Sequence, residues 1–120
     1  MKISEVAAKT GLSISTIRYY EQTGLCPGIG RGADGQRSFT GTDVDWLLLL
    51  SSLRATGMAM ADMRRFADLY ARGDDTIRDR KAALVAHKRS LDARQAELDR
   101  CRALLEGKLA RYDALLGDTA

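Results

Sequence analysis

Side chains that can hydrogen-bond to anions and to base edges are concentrated near the start of the sequence, in the segment ISTIRYYE at residues 14–21. Arginine binds phosphates and guanine edges through two parallel N–H groups, and hydroxyl side chains bind phosphate oxygens. The residues with this chemistry are Ser15, Thr16, Arg18, Tyr19 and Tyr20. They predict a surface that contacts nucleic acid. A merely solvated helix face is the alternative.

A second basic group lies in the glycine-rich stretch 26–40, which also contains the one proline of the sequence. This composition excludes a helix, and Asp34-Gly35 favours a turn, so the flanks are predicted to pair as a short β-hairpin. Arg31 and Arg37 would then lie on either side of the turn, where they could reach a DNA backbone or minor groove. An ordinary surface loop with incidental arginines is the alternative.

The segments around the first group predict two short helices joined by a tight turn. Gly11 ends the first helix, Ser13 is a candidate N-cap for the second, and Gly24 ends the second. This is the pattern of a helix-turn-helix, whose second helix enters the major groove of DNA. At 100° per residue, the predicted inward face of the second helix comprises Ile14, Ile17 and Glu21.

Two further helices are predicted to form the core. Thr42 begins a capping-box sequence, and the apolar helix that follows it ends at Gly57. The next helix carries methionines and aromatics at helical spacing up to Gly73, a pattern more typical of packing than of a cofactor site. Arg54 could interact with the helix dipole or with a phosphate, and the sequence leaves both open.

From residue 75 to 116 the sequence predicts one long helix, since it contains no proline and no glycine before Gly107. Every seventh residue is apolar or aromatic, which is typical of a coiled coil. These residues are Ile77, Leu84, Leu91, Leu98, Leu105 and Tyr112. The positions three residues later are mostly polar, which favours an antiparallel pairing. A second copy would cover the stripe in a two-fold dimer, and folding back onto its own domain is the alternative.

Composition limits the class of function. The 120 residues carry 19 Lys and Arg against 16 Asp and Glu, and residues 1–40 hold five basic against three acidic side chains. This weak surplus is compatible with nucleic acid but does not establish it. A single histidine and the lack of a clustered nucleophile or acid pair argue against an enzyme.

The cysteines and the hydropathy add further expectations. Cys26 and Cys101 have no partner at metal-ligand spacing, so neither a metal nor another cofactor is expected. Each is a candidate thiol sensor, although two unreactive thiols are the simpler interpretation. The sequence holds no apolar run of about 20 residues and no signal pattern, so we expect a cytoplasmic protein without a membrane partner.

The motif Thr16-Ile17-Arg18-Tyr19-Tyr20-Glu21, with Gly24-Leu25, Gly35-Gln36-Arg37 and Leu53-Arg54-Ala55-Thr56-Gly57-Met58 after it, closely resembles the MerR family of bacterial regulators. The resemblance implies a mostly α-helical fold. A winged helix-turn-helix domain with a small β-hairpin wing and a helical connector would occupy residues 1–72. An antiparallel coiled-coil dimerisation helix would occupy residues 73–116, followed by a tail at 117–120.

The same resemblance implies contacts and partners. The residues that match Thr16, Arg18, Tyr19 and Tyr20 meet DNA from the second helix, and those that match Arg37 and Phe39 meet it from the wing. Phe39 stands where the family usually has tyrosine. The implied partners are double-stranded promoter DNA, a second copy, and RNA polymerase on the same promoter, with an over-long promoter spacer distorted by the dimer.

Alternatives and the effector are left open. An excisionase-type DNA-bending factor shares the winged helix, whereas a pure coiled-coil adaptor would not need the arginines. The resemblance is greatest to short, aldehyde- or electrophile-responsive members, but Ser51 and Ser52 stand where some of those carry a reactive cysteine. Asp74-Asp75-Thr76 replaces the cysteine start of metal sensors, and 120 residues are expected to leave no space for a ligand domain. The effector is therefore not identified.

Overall fold

A computed structural model describes residues 1–27, 30–31 and 37–117 of the chain. The described part is mostly helical and ends in one long helix, as predicted. Its elements in chain order are α1 (Ile3–Thr10), α2 (Ile14–Gln22), β1 (Gly30–Arg31), β2 (Arg37–Ser38), α3 (Gly41–Ala55), α4 (Met60–Arg72), a 3-10 turn (Asp74–Thr76) and α5 (Ile77–Leu116). None of the helices in these described ranges is both long and apolar enough to cross a membrane.

The turn between α1 and α2 has the predicted chemistry. Gly11 ends α1 in the left-handed conformation, with φ of 73°, and its N–H donates to the carbonyl of Ala7 at 2.9 Å. A glycine adopts this conformation without the steric cost of a side chain. The Ser13 hydroxyl then accepts the N–H of Thr16 at 3.1 Å and begins α2. The two helices therefore form a helix-turn-helix.

β1 and β2 pair as antiparallel strands of two residues each. Gly30 lies opposite Ser38, and Arg31 lies opposite Arg37. The predicted Asp34-Gly35 turn lies outside the described residues.

α3 is the central helix of the core, as its composition predicts. It buries Val44, Leu47, Leu50 and Leu53, whereas Leu48 stays 41% exposed. Side chains from the other elements pack around it: Val6, Ile17, Tyr20, Leu25, Phe39, Met63 and Ala67. Met63 of α4 is therefore a packing residue, and Met60 packs against the same cluster. Complete burial of a leucine contributes about 1.5–3 kcal/mol, so this cluster supplies much of the stability of the fold.

The N-cap of α3 is Thr40, and the prediction that Thr42 caps this helix is wrong. The Thr40 hydroxyl accepts the N–H of Asp43 at 3.2 Å, and the Asp43 carboxylate accepts the N–H of Thr40 at 2.8 Å. Both threonines are followed three residues later by aspartate. Phe39, before Thr40, and Val44, four residues after Thr40, are both buried in the core, which is the placement of a hydrophobic staple. Core packing therefore selects the earlier threonine.

The junction between α4 and α5 is built on one hydroxyl. The side-chain oxygen of Thr76 is buried, hydrogen-bonds to the carbonyl of Leu69, and lies 2.8 Å from the carbonyl of Gly73. It also accepts from the guanidinium of Arg80 at 3.1 Å. A buried hydroxyl without such partners would be costly, so these contacts fix the start of α5.

The chain divides into two compact units, an N-terminal unit (Met1–Leu84) and a C-terminal unit (Val85–Ala120). The division falls inside α5, and the N-terminal unit includes Thr76 and Arg80, which contact α4 and its end. In the C-terminal unit, Lys88 pairs with Asp92 at 3.3 Å along the helix. α5 is described throughout and buries none of its residues in the single chain.

The corrected cap can be tested by alanine substitution at the two threonines. Thr40→Ala should lower the free energy of unfolding by about 1 kcal/mol, because the helix loses its N-cap acceptor. Thr42→Ala removes the same atoms from an exposed position inside α3. It should cost nothing or stabilise by a few tenths of a kcal/mol, because alanine has the higher helix propensity. Urea denaturation followed by circular dichroism measures both, and equal losses would contradict the assignment.

Candidate nucleic-acid interface

Three hydroxyl groups cluster at the first turn of α2. The Ser13 Oγ lies 3.1 Å from the Ser15 Oγ and 2.8 Å from the Thr16 Oγ1. Ser13 and Ser15 are exposed, and Thr16 is half-buried. The amino end of a helix also presents backbone N–H groups and a partial positive charge. This turn therefore offers several donors to a phosphate oxygen.

The outward side of α2 carries Arg18 and Tyr19. Both are exposed, Tyr19 with 45% of its surface accessible. Ile17, between them and the hydroxyl cluster, is completely buried in the core. Because this anchor fixes the rotation of the helix, a guanidinium and a phenol are held towards solvent next to the hydroxyl cluster. Ser15, Arg18 and Tyr19 therefore share one exposed side of α2, with Thr16 at its edge, and contact of this side with DNA stays a prediction.

Two predicted DNA-contact side chains lie in the core instead. Tyr20 is 3% exposed and Phe39 is 2% exposed. Burial raises the pKa of the Tyr20 phenol, and the nearby charge of Arg54 opposes this rise. Both side chains therefore pack in the core of the single chain, and a DNA contact by either of them stays a prediction.

The backbone of Phe39 has a further role. Its N–H donates to the Met1 carbonyl at 3.0 Å, and its carbonyl accepts from the Met1 ammonium at 2.7 Å. These two bonds hold the segment after β2 against the residues before α1. The β1–β2 pair is thereby attached to the helix-turn-helix.

The remaining predicted arginines lie on α3, β1 and β2. Arg54 is exposed near the end of α3, and its charge reaches the Tyr20 phenol on α2. Arg31 and Arg37 are opposite each other in the β1–β2 register.

The two cysteines occupy different environments, and both are free thiols. Cys26 is half-buried just after α2. Burial, together with the charges of Glu21 and Asp43, raises the pKa of its thiol to about 12. Cys101 is exposed on α5. Within the described ranges, no three His, Cys, Asp or Glu side chains are close enough together to hold a metal ion.

The contact that attaches the end of α2 to α3 was not predicted from the sequence. The Trp46 Nε1–H donates to the carbonyl of Leu25, just after α2, at 2.7 Å. Trp46 is the one aromatic residue of α3, and it was a usable indication of such a contact because a buried indole N–H needs an acceptor. Arg80, three residues after Ile77, is one of the polar positions of the predicted coiled-coil repeat, and its guanidinium lies 5.3 Å from the ring centre of Tyr70.

The predicted dimerisation residues all lie on α5. Leu84 and Leu91 are half-buried in the single chain. More than half of the surface is exposed at Ile77, Leu98, Leu105 and Tyr112. Leu109 and Leu116 add to the exposed apolar surface near the end of the helix, where they are 59% and 75% exposed.

Comparison with protein families matches nearly the whole described chain. Residues 1–69 match the MerR HTH family regulatory protein model, and residues 44–108 match the model described as MerR, DNA binding. An HTH-type transcriptional regulator of Haemophilus influenzae is 42% identical over 109 residues, which cover 91% of this chain and 81% of that protein.

Solved structures give the same result. HiNmlR, a MerR family regulator that lacks the sensor domain and was crystallised bound to promoter DNA, has a TM-score of 0.83 and 40% identity, covering 98% of this chain and 91% of that one. A MerR family regulator from Listeria monocytogenes has a TM-score of 0.87 and 31% identity, covering 97% and 88%. The chain therefore belongs to the MerR family of helix-turn-helix transcriptional regulators, which bind DNA and are not enzymes.

Proposed function

We propose that this chain is a dimeric, sequence-specific regulator that binds a pseudo-palindromic operator in a promoter spacer. The observation that carries the proposal is the outward display of Arg18 and Tyr19 on α2, whose Ile17 is completely buried. The promoter DNA in the crystals of HiNmlR supports this interpretation. The proposed place of action is the cytoplasm.

Each DNA contact has a distinct proposed role. The hydroxyl cluster of Ser13, Ser15 and Thr16 binds a backbone phosphate and sets the register of α2 in the major groove. Arg18 and Tyr19 face base edges from the same helix. Three arginines outside α2 bind the phosphate backbone or minor groove: Arg31 on β1, Arg37 on β2 and Arg54 on α3.

A second copy of the chain is the proposed cover for α5. The apolar stripe is exposed in one chain, and a leucine that becomes buried contributes about 1.5–3 kcal/mol. Burial of several such leucines suffices for a stable dimer. A two-fold pair of chains then presents two copies of α2 to an operator with the same symmetry. The polar residues between the leucines favour antiparallel pairing.

Control of transcription is proposed to act through the shape of the DNA. Bending a site of 20–30 base pairs costs on the order of 1–6 kcal/mol, whereas specific affinities correspond to about 11–15 kcal/mol. Binding by the two DNA-binding domains of a dimer can therefore support a bend or untwist that aligns an over-long spacer for RNA polymerase. The matches to two MerR family models favour this over an excisionase-type factor.

The effector of this regulator is not assigned to either thiol. A thiolate is needed for reaction with electrophiles, and the pKa of about 12 at Cys26 keeps that thiol protonated near neutral pH. We propose that Cys26 packs behind α2 and has no sensing role.

Arg18→Ala tests the recognition surface. We expect a loss of roughly 10- to 100-fold in affinity for the operator, since one base-edge arginine contributes about 1–3 kcal/mol. Fluorescence anisotropy with a duplex selected from a random library by the unaltered protein measures it. Arg100→Ala, on exposed α5, removes the same charge and should change affinity less than about threefold. Equal effects of the two substitutions would refute the assignment.

The dimer is tested by Leu91→Glu combined with Leu98→Glu. Carboxylates in the apolar stripe should convert the dimer to a monomer in sedimentation equilibrium, because a buried charge without a partner is unfavourable. Ala96→Glu with Ala103→Glu adds the same charge on the opposite side of α5 and should leave the dimer intact. A dimer that persists in the leucine variant would exclude this stripe as the interface.

Alkylation tests the proposal for Cys26. In a Cys101→Ser variant at pH 8, iodoacetamide should modify Cys26 about 10³-fold more slowly in the folded protein than in urea, because its thiol pKa is raised from 9.0 to about 12. Between pH 8 and pH 10 the folded rate should rise about tenfold per pH unit, as the thiolate fraction does below the pKa. Peptide mapping by mass spectrometry measures both rates. Folded and unfolded rates within a factor of ten would contradict the proposal.

A further inference from the structure

A series of directional contacts connects the first turn of α5 with the end of α2. It starts at Arg80, which is half-buried. The Arg80 guanidinium donates to the Thr76 hydroxyl at 3.1 Å and to the Gly73 carbonyl at 3.2 Å, and it lies 5.3 Å from the centre of the Tyr70 ring. One side chain of α5 therefore contacts the 3-10 turn, the end of α4 and an aromatic ring of α4.

The series continues through stacked rings. Tyr70 stacks on Trp46 with ring centres 4.4 Å apart and planes tilted by 27°. Phe66 lies on Trp46 as well, with centres 5.4 Å apart and planes within 5° of parallel. Stacking of this kind restricts the relative orientation of α3 and α4 beyond what the burial of area does.

The series ends at the recognition helix. The Trp46 Nε1–H donates to the Leu25 carbonyl at 2.7 Å, and the Leu25 N–H donates to the carbonyl of Tyr20, on the last turn of α2, at 2.9 Å. Leu25 itself is completely buried. All of these residues belong to the N-terminal unit.

We propose that Arg80, acting through Tyr70 and Trp46, is a positioning residue that fixes α2 relative to the start of α5 and so sets the half-site spacing that the dimer accepts. This inference rests on the proposed dimeric DNA-binding function. Apolar packing alone lets helices slide and rotate by small amounts, whereas a hydrogen bond, a ring stack and a cation over a ring each have a preferred angle. One base pair of spacing moves a half-site by about 3.4 Å and about 34°, so small rotations of α2 matter.

The experiment compares Arg80→Ala with Arg78→Ala on duplexes of different spacing. Arg78 is exposed in the same turn of α5, so its loss changes the charge of the protein equally. The probes are a duplex selected from a random library by the unaltered protein, the same duplex with one base pair added or removed between half-sites, and a single half-site. Anisotropy gives the affinity for each. Trp46→Phe, which keeps a ring but removes the N–H donor to Leu25, tests the other end of the series.

We expect the unaltered protein and Arg78→Ala to lose at least about tenfold in affinity when the spacing changes. Arg80→Ala and Trp46→Phe should lose less than about threefold while keeping their single half-site affinity, and the double variant should resemble either single variant because both interrupt one series. The inference is overturned if Arg80→Ala keeps the tenfold discrimination, if Arg78→Ala loses it equally, or if single half-site binding falls as much as binding to the full duplex. If the unaltered protein does not distinguish the spacings, the proposed function itself fails.

Discussion

Burial of α3 is the constraint on which the rest of the N-terminal unit depends. α1 and α2 have eight and nine residues, and helices this short are not stable alone in water. They persist because Val6 and Ile17 are buried in the same core cluster as the apolar side chains of α3, and the burial of Ile17 also fixes the rotation of α2. The outward position of Arg18 and Tyr19 follows from where Ile17 must lie. The proposed DNA-facing surface is thus determined by the packing of the core.

The elements that are marked by capping residues or by a regular repeat could be predicted from the sequence. Gly11 and Ser13 delimit the turn before α2, and the seven-residue repeat identifies α5. The capping-box motif alone could not choose the cap of α3, because Thr40 and Thr42 each precede an aspartate by three residues. The decision depends on the burial of Phe39 and Val44, which is a property of the assembled core. A search for the hydrophobic staple would have separated the two.

Aromatic and long basic side chains were the hardest to assign, since each suits both a binding surface and a packed interior. The helical wheel placed Ile14, Ile17 and Glu21 on the inward face of α2. The structure buries Ile17, leaves Ile14 and Glu21 half-buried, and adds Tyr20 to the core. Phe39 and Tyr20 were expected at DNA and belong to the core. Arg80 was expected on the coiled-coil seam and packs on Tyr70. In each case the role depends on where a neighbouring helix or strand lies, and the spacing of residues along the sequence does not give that position.

The exposed stripe on α5 has a consequence for how such a regulator depends on its own abundance. If two chains must associate before both half-sites can be occupied, the active species below the association midpoint rises as the square of the chain concentration. A twofold change in synthesis or degradation then changes promoter occupancy about fourfold in the dilute regime. The cellular concentration of the protein then controls promoter occupancy directly, and the hydrophobicity of one face of α5 sets the concentration at which it does so.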